Sequence, residues 1–338
     1  MARRLIFGPI LILIMIGLMW LDDRLTGAEL PGWLAWLGFG TGRLPAGSIV
    51  LLIGLIACGR GGWELARMFR SAGVHASKKS MAFSASAGVL AGGLCIGSEA
   101  DRLWSSLQQS SGLTALSPGT VLATAGGLVV FLSMVAYLRH EQHVEIASPR
   151  AAPSDARPGS GRLIGASGSV AAAVFAFVYC GVILGFLAAL VRGYSVWVML
   201  AVVFVVKACD SGAYFTGTLT PRERRRPLIP WISPGKTWQG LIGGLVTAGL
   251  FGLGLAWLSQ VVSDAGVRLT LVHGVVLGVL LGLVGQLGDL SASVLKRDAQ
   301  LKDAGRILPG FGGVIDMLDS LLIAAPVAYW YLAVIGAG

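Results

Sequence analysis

Nine apolar runs dominate the sequence, and their length is the tightest constraint on what it can fold into. They lie at 5–21, 44–59, 81–98, 118–138, 168–191, 194–210, 238–258, 269–288 and 319–336. A bilayer crossing needs about 20 apolar residues, because backbone polar groups in lipid must be satisfied within the element itself. The runs predict an all-α integral membrane protein of about nine transmembrane helices. Composition agrees: 55% of residues are hydrophobic and 13% charged, against about 25% charged in a soluble domain. The first run follows Arg3 and Arg4 as the core of a signal peptide would. It is longer than a typical one, however, and Trp20-Leu21-Asp22-Asp23 is no cleavage site, so it reads as a membrane helix. The runs at 168–191 and 194–210 are parted only by Arg192 and Gly193, which predicts a tight hairpin.

The net charge of +9 raises the question of nucleic acid. The layout of the cations answers it. With the N-terminus inside, 21 of the 26 Lys and Arg residues fall in inner segments, and Arg24, Arg43, Arg102, Arg192 and Arg268 fall outside. This positive-inside bias predicts a cytoplasmic N-terminus, an outward C-terminus and location in the cell (inner) membrane. It accounts for the excess charge without a nucleic-acid partner. The cysteines Cys58, Cys95, Cys180 and Cys209 stand singly in apolar runs, which argues for packing and against zinc or a disulfide framework. A Pro/Ser/Gly-rich stretch divides the chain into a four-span region (1–147), a flexible linker (148–162) and a five-span region (163–338). The stretch from Gly59 to Gly73, with Trp63, Leu65, Met68 and Phe69 beside Arg67 and Arg70, fits an interfacial helix or an ordinary juxtamembrane helix end.

Four polar constellations interrupt the second half, and none is evident in the first. Lys207 and Asp210 stand i, i+3 on one face of a helix end. Charges in a span are costly, about 2.5–3.5 kcal/mol each on insertion scales, so they imply a salt bridge, a polar cavity or both. Ser233 to Thr237 comes next. Gly235-Lys236-Thr237 imitates the end of a phosphate-binding P-loop, but Pro230 stands where that motif needs glycine and no strand is expected before it. Lys236 and Thr237 at a helix start can still hold an anion, or Thr237 can simply cap the helix ahead of an interfacial Trp238. Arg222, Arg224, Arg225 and Arg226 read as topological anchors. Third, Gly274, Gly278 and Gly282 form a stripe for close helix contact, with Gln286 and Asp289 at its inner end facing the interior. The fourth runs from Ser291 to Ser320. It gathers Lys296, Arg297, Lys302 and Arg306 with Asp298, Asp303, Asp316 and Asp319 around the glycines Gly310, Gly312 and Gly313. Glycines admit phosphate oxygens to backbone N–H groups, cations neutralise them, and aspartates hold Mg²⁺. Two carboxylates about 4 Å apart repel by about 4 kcal/mol at an effective dielectric near 20, so converging aspartates need a cation or a proton.

This last stretch resembles the signature of the phosphatidate cytidylyltransferases. Ser293, Leu295, Lys296, Arg297, Lys302, Asp303, Gly305, Leu308, Pro309, Gly312, Gly313, Val314, Asp316, Leu318 and Asp319 fall in register with it. Asp210 with Ala213-Tyr214-Phe215, Ser233-Pro234 with Lys236-Thr237, and Gly288-Asp289-Leu290 are also similar to that family, over roughly residues 170–338. Phe311 and Met317 depart, standing where the signature has histidine and arginine. The resemblance implies the reaction CTP + phosphatidate → CDP-diacylglycerol + pyrophosphate, with CTP, phosphatidate and the bilayer as partners and a homodimer left open. It implies a catalytic set of Asp289, Lys296, Arg297, Lys302, Asp316 and Asp319, with Mg²⁺ on Asp289 and Asp316 and a second cation such as K⁺ left open. Lys236, Thr237, Ser233, Asp210, Gly310, Gly312 and Gly313 are the expected substrate-binding residues. Two other readings stand beside it. One is another CTP-using membrane enzyme, akin to a polyprenol kinase or an archaeol-type cytidylyltransferase. The other is a transporter, against which the charges cluster at one membrane face and no paired repeat is evident.

Overall fold

The structure, a computed structural model, describes residues 2–31, 43–96, 122, 124–134, 165–262, 267–305 and 312–336. The helices are α1 (Ala2–Leu25), α2 (Ser48–Ser71), α3 (Lys78–Cys95), α4 (Thr124–Met134), α5 (Ala166–Gly193), α6 (Val196–Leu219), α7 (Trp238–Val261), α8 (Leu271–Asp298) and α9 (Val314–Val334). Each apolar run thus coincides with a helix among the described residues. Six of these, α2 and α5 to α9, are long and apolar enough to cross a membrane. Helix α3 carries Ser and Gly among its apolar residues, and α4 is shorter, with part of its run outside the described residues. The expected linker at 148–162 also lies outside them.

Sequential neighbours pack on one another: α2 on α3, α6 on α7, α7 on α8 and α8 on α9, with α3 also against α5. The glycine stripe explains the closeness of α7 and α8. A Cβ on Gly252 would overlap the carbonyl of Gly274, and one on Gly278 would overlap that of Ala248. Two buried clusters form the core. One joins α5, α6, α8 and α9 through Leu190, Val206, Leu281 and Leu332. The other joins α2, α3, α5 and the start of α9 through Leu65, Met81, Phe177 and Ile315. Helix α5 contains a π-helical turn, Phe177–Val182, where its backbone meets Gly88 of α3. The carbonyl of Cys180 in that turn accepts from Cys58 Sγ at 2.8 Å. All four cysteines are free and three are buried, as packing residues should be.

Two expectations are corrected. The sequence predicts no strand before Gly235-Lys236-Thr237, yet in this otherwise helical bundle β1 (Pro227–Ile229) and β2 (Ser233–Thr237) pair antiparallel between α6 and α7. The Gly-Lys-Thr sequence therefore does follow a strand and itself sits in one. Lys236 lies on extended backbone that runs straight into α7, and this is again not a phosphate-binding loop. Secondly, α6 does not end near Asp210 but continues to Leu219, so Lys207 and Asp210 lie within the helix. Their polarity is absorbed by partners on α8 and α9, which removes the reason for the helix to stop.

Candidate active site

Four helix segments meet at one end of the bundle: the later part of α6, the start of α7, the end of α8 and the start of α9. Between them lies a polar cavity of about 460 Å³, lined by Lys207, Asp210, Lys236, Gln286, Asp289, Lys296, Asp316 and Asp319 together with residues such as Tyr214, Leu228 and Asp303. Three lysine–aspartate pairs line it. Lys207 Nζ meets Asp210 Oδ2 at 3.0 Å, Lys236 Nζ meets Asp289 Oδ2 at 2.9 Å, and Lys296 Nζ meets Asp316 Oδ1 at 2.7 Å. The first joins residues of one helix. The second joins β2 to α8, and the third joins α8 to α9.

Each pair is anchored further. Asp210 Oδ1 accepts from Gln286 Nε2 at 3.0 Å, and Lys207 Nζ donates to Ser320 Oγ at 2.7 Å. Lys236 also reaches the Gln286 carbonyl at 3.3 Å. Asp316 is the most constrained. Its Oδ2 accepts from Ala304 N at 2.8 Å and from Gly313 N at 2.9 Å, so it binds the loop after α8 to the residue just before α9. Gly312 has φ +88°, and a Cβ there would crowd the same carboxylate, so glycine is required. Asp319 is buried (6% exposed) and its Oδ1 accepts from Ser320 N at 2.6 Å. It lines the cavity with Asp289, and Gly288 packs against the α9 backbone at Asp319.

Of the remaining expected residues, Thr237 caps α7, its Oγ1 accepting from Gly240 N at 3.1 Å. Ser233 is half-buried at the start of β2. Arg297 Nε donates to the Ile232 carbonyl at 3.0 Å and so pins the hairpin to α8. It does not line the cavity, and neither does the exposed Lys302. Gly313 is the residue before α9. Gly310 and Phe311 lie outside the described residues.

Sequence reasoning missed three groups. Ser320 follows Asp319 and signals nothing by itself. Tyr179, on the π turn of α5, shares a 3.3 Å hydrogen bond with Ser291 Oγ. Glu64 of α2 belongs to the half in which no polar constellation is evident, yet it accepts from Val314 N and Ile315 N at the start of α9. Beside it Arg67 Nη2 donates to the Asp303 carbonyl at 2.9 Å.

Among the described residues, no three His, Cys, Asp or Glu side chains form a metal-binding group. The cavity carries Asp289, Asp316 and Asp319, and such carboxylates suit Mg²⁺, which is held through one or two of them and completes its shell with water and substrate phosphates.

The Cytidylyltransferase family pattern matches residues 44–335. A phosphatidate cytidylyltransferase of Haemophilus influenzae is 38% identical over 149 residues, which is 42% of this chain and 48% of that protein. One of Bacillus subtilis is 42% identical over 129 residues, 38% of this chain and 45% of the relative. One of Brucella suis is 40% identical over 148 residues, 43% and 51% of the two chains. The chain spans about half the length of the curated relatives it matches. The family match, by contrast, takes in α2 to α9 and with them every wall of the cavity, and so the chain belongs to the cytidylyltransferase family.

Proposed function

We propose that the chain transfers the cytidylyl group of CTP to phosphatidate, giving CDP-diacylglycerol and pyrophosphate, in the polar cavity between α6, α7, α8 and α9. The observation that carries this reading is the convergence of three lysine–aspartate pairs on one cavity in an otherwise apolar bundle. The names of the similar proteins from Haemophilus and Bacillus support the choice of substrates. A phosphate oxygen of the lipid attacks the α-phosphorus of CTP. The bond from that phosphorus to the α–β bridging oxygen breaks, and pyrophosphate leaves with the electron pair. The attacking oxygen is already anionic, so the reaction needs no strong base. It needs two anions brought together, which positioning and electrostatic stabilisation provide.

The lysines and aspartates divide this work. Lys236 and Lys296 turn from their aspartates to phosphate oxygens and neutralise the triphosphate. Asp289 and Asp316 would hold Mg²⁺, with Asp319 supporting them. When bound, Mg²⁺ supplies positive charge to the triphosphate and the departing pyrophosphate. Asp210, Gln286 and Ser320 keep Lys207 at the cavity wall. Arg297 holds the hairpin that carries Lys236, and the exposed Lys302, just after α8, attracts the arriving anions. The cation bias of the sequence supports a nine-span arrangement in the inner membrane, with the cavity on the cytoplasmic face, the N-terminus inside and the C-terminus outside.

Purified full-length protein, supplied with labelled CTP and phosphatidate, tests the reading. CDP-diacylglycerol and pyrophosphate are expected with Mg²⁺ and not with EDTA; a K⁺ titration at fixed Mg²⁺ tests for a second cation. Parallel arms use an isoprenoid phosphate and a free lipid alcohol. No product from phosphatidate, or release of CDP with the alcohol, would overturn it.

A further inference from the structure

The first half of the chain contributes one carboxylate that the proposed chemistry does not use. Glu64 lies in α2, 3% exposed, and is directed at the start of α9. Its Oε1 accepts from Val314 N and its Oε2 from Ile315 N, each at 3.1 Å. These are the first two of the N–H groups that a helix leaves without an internal partner, and a negative charge there also matches the helix dipole. Gly305 and Gly313 close on the same carboxylate from the loop, and a Cβ on either would overlap one of its oxygens. Arg67, one turn further along α2, holds the carbonyl of Asp303.

The two ends of the 305–313 segment are thereby held against one side chain. That segment separates Lys296 from Asp316 and Asp319. A cap that served α9 alone would not need two loop glycines packed on it. Two N–H donors converging on two oxygens also require a carboxylate, because an amide offers one oxygen and turns its NH₂ towards the other donor.

We propose that Glu64 is a positioning residue for cytidylyl transfer: by clamping Gly305, Gly313 and the first turn of α9, it sets Asp316 and Asp319 in register with Asp289. The inference rests on the reading of the cavity as the CTP site. It makes the first half of the chain part of the geometry of that site.

The test uses Glu64→Gln and Gly305→Ala in purified full-length protein. The first removes one of the two bonds without changing size; the second crowds the carboxylate from the loop side. In both, kcat is expected to fall about ten- to a hundred-fold. The Mg²⁺ concentration for half activity should rise, while KM for phosphatidate stays within about two-fold. Amide hydrogen exchange at 312–320 should quicken by about five-fold or more, with α6 and α7 unchanged. Wild-type kcat and wild-type Mg²⁺ dependence in both variants would overturn the proposal. So would a loss of activity that only follows the folded fraction, or unchanged exchange at 312–320. A wild-type protein that gives no product would remove the function reading alone. The exchange measurement would still decide whether Glu64 holds α9.

Discussion

Asp316 and Asp289 have the same side chain and different surroundings in the folded protein. Asp316 accepts from Lys296 Nζ, Ala304 N and Gly313 N, and the Lys296–Asp316 pair is only 12% and 11% exposed. Replacing Asp316 with Asn would leave a buried lysine unpaired, which costs about 3–5 kcal/mol. Asp289 is more open (31% exposed), and its partner Lys236 keeps the Gln286 carbonyl if the pair is broken. Asp289→Asn is therefore expected to abolish turnover with a small change in thermal midpoint. Asp316→Asn should lower activity and midpoint together. Unfolding followed by size-exclusion chromatography in detergent, beside the CTP assay, separates the two outcomes. The aspartates were legible in the sequence as acids gathered at the inner ends of two helices. Their partners were not, because Lys207–Asp210 alone is a local pair and the others join distant parts of the chain. Glu64 was hidden for a related reason. On its own helix it stands four residues after Arg60 and three before Arg67, so a local reading satisfies it without α9.

At the scale of the element, glycine decides which helices touch. The stripe on α8 was readable from spacing, and its partner surface on α7 was not, since Gly249, Gly252 and Gly254 could each face either way. The structure separates them: Gly252 lies against α8, whereas nothing stands within 4 Å of a Cβ on Gly254. Gly278→Ala is expected to destabilise by about 1–3 kcal/mol through overpacking against Ala248. Gly254→Ala should stabilise by about 1 kcal/mol, because an exposed helical glycine gives way to a better helix former. Opposite shifts of the thermal midpoint in detergent check the pair. The β-hairpin escaped the sequence reading because its strands are short and rich in proline and glycine, with little alternation for a period-two pattern to show. What holds it is tertiary: Arg297 to the Ile232 carbonyl, and Lys236 to Asp289.

For the whole molecule, hydropathy located every α-helix among the described residues but could not say which of them cross the bilayer. Six pass by length and composition; α3 is not among them, and its 18 residues begin with Lys78 and Lys79. Orientation rests on the cations. Single cysteines at the exposed positions Lys302 and Glu29, in a chain with its own four cysteines replaced, give a direct reading. A membrane-impermeant maleimide on intact cells is expected to label position 29 and to spare position 302 until the membrane is opened. The reverse pattern would invert the topology and move the cavity to the outer face.

The way the three lysine–aspartate pairs are distributed along the chain has a consequence for biogenesis. Lys207 and Asp210 leave the ribosome together on one helix, so they can enter the bilayer already matched. Lys236 is made well before Asp289, and Lys296 before Asp316, so each of these lysines waits for an acid that arrives with a later segment. The polar chamber therefore cannot have all three pairs matched before α9, which carries Asp316, has been made.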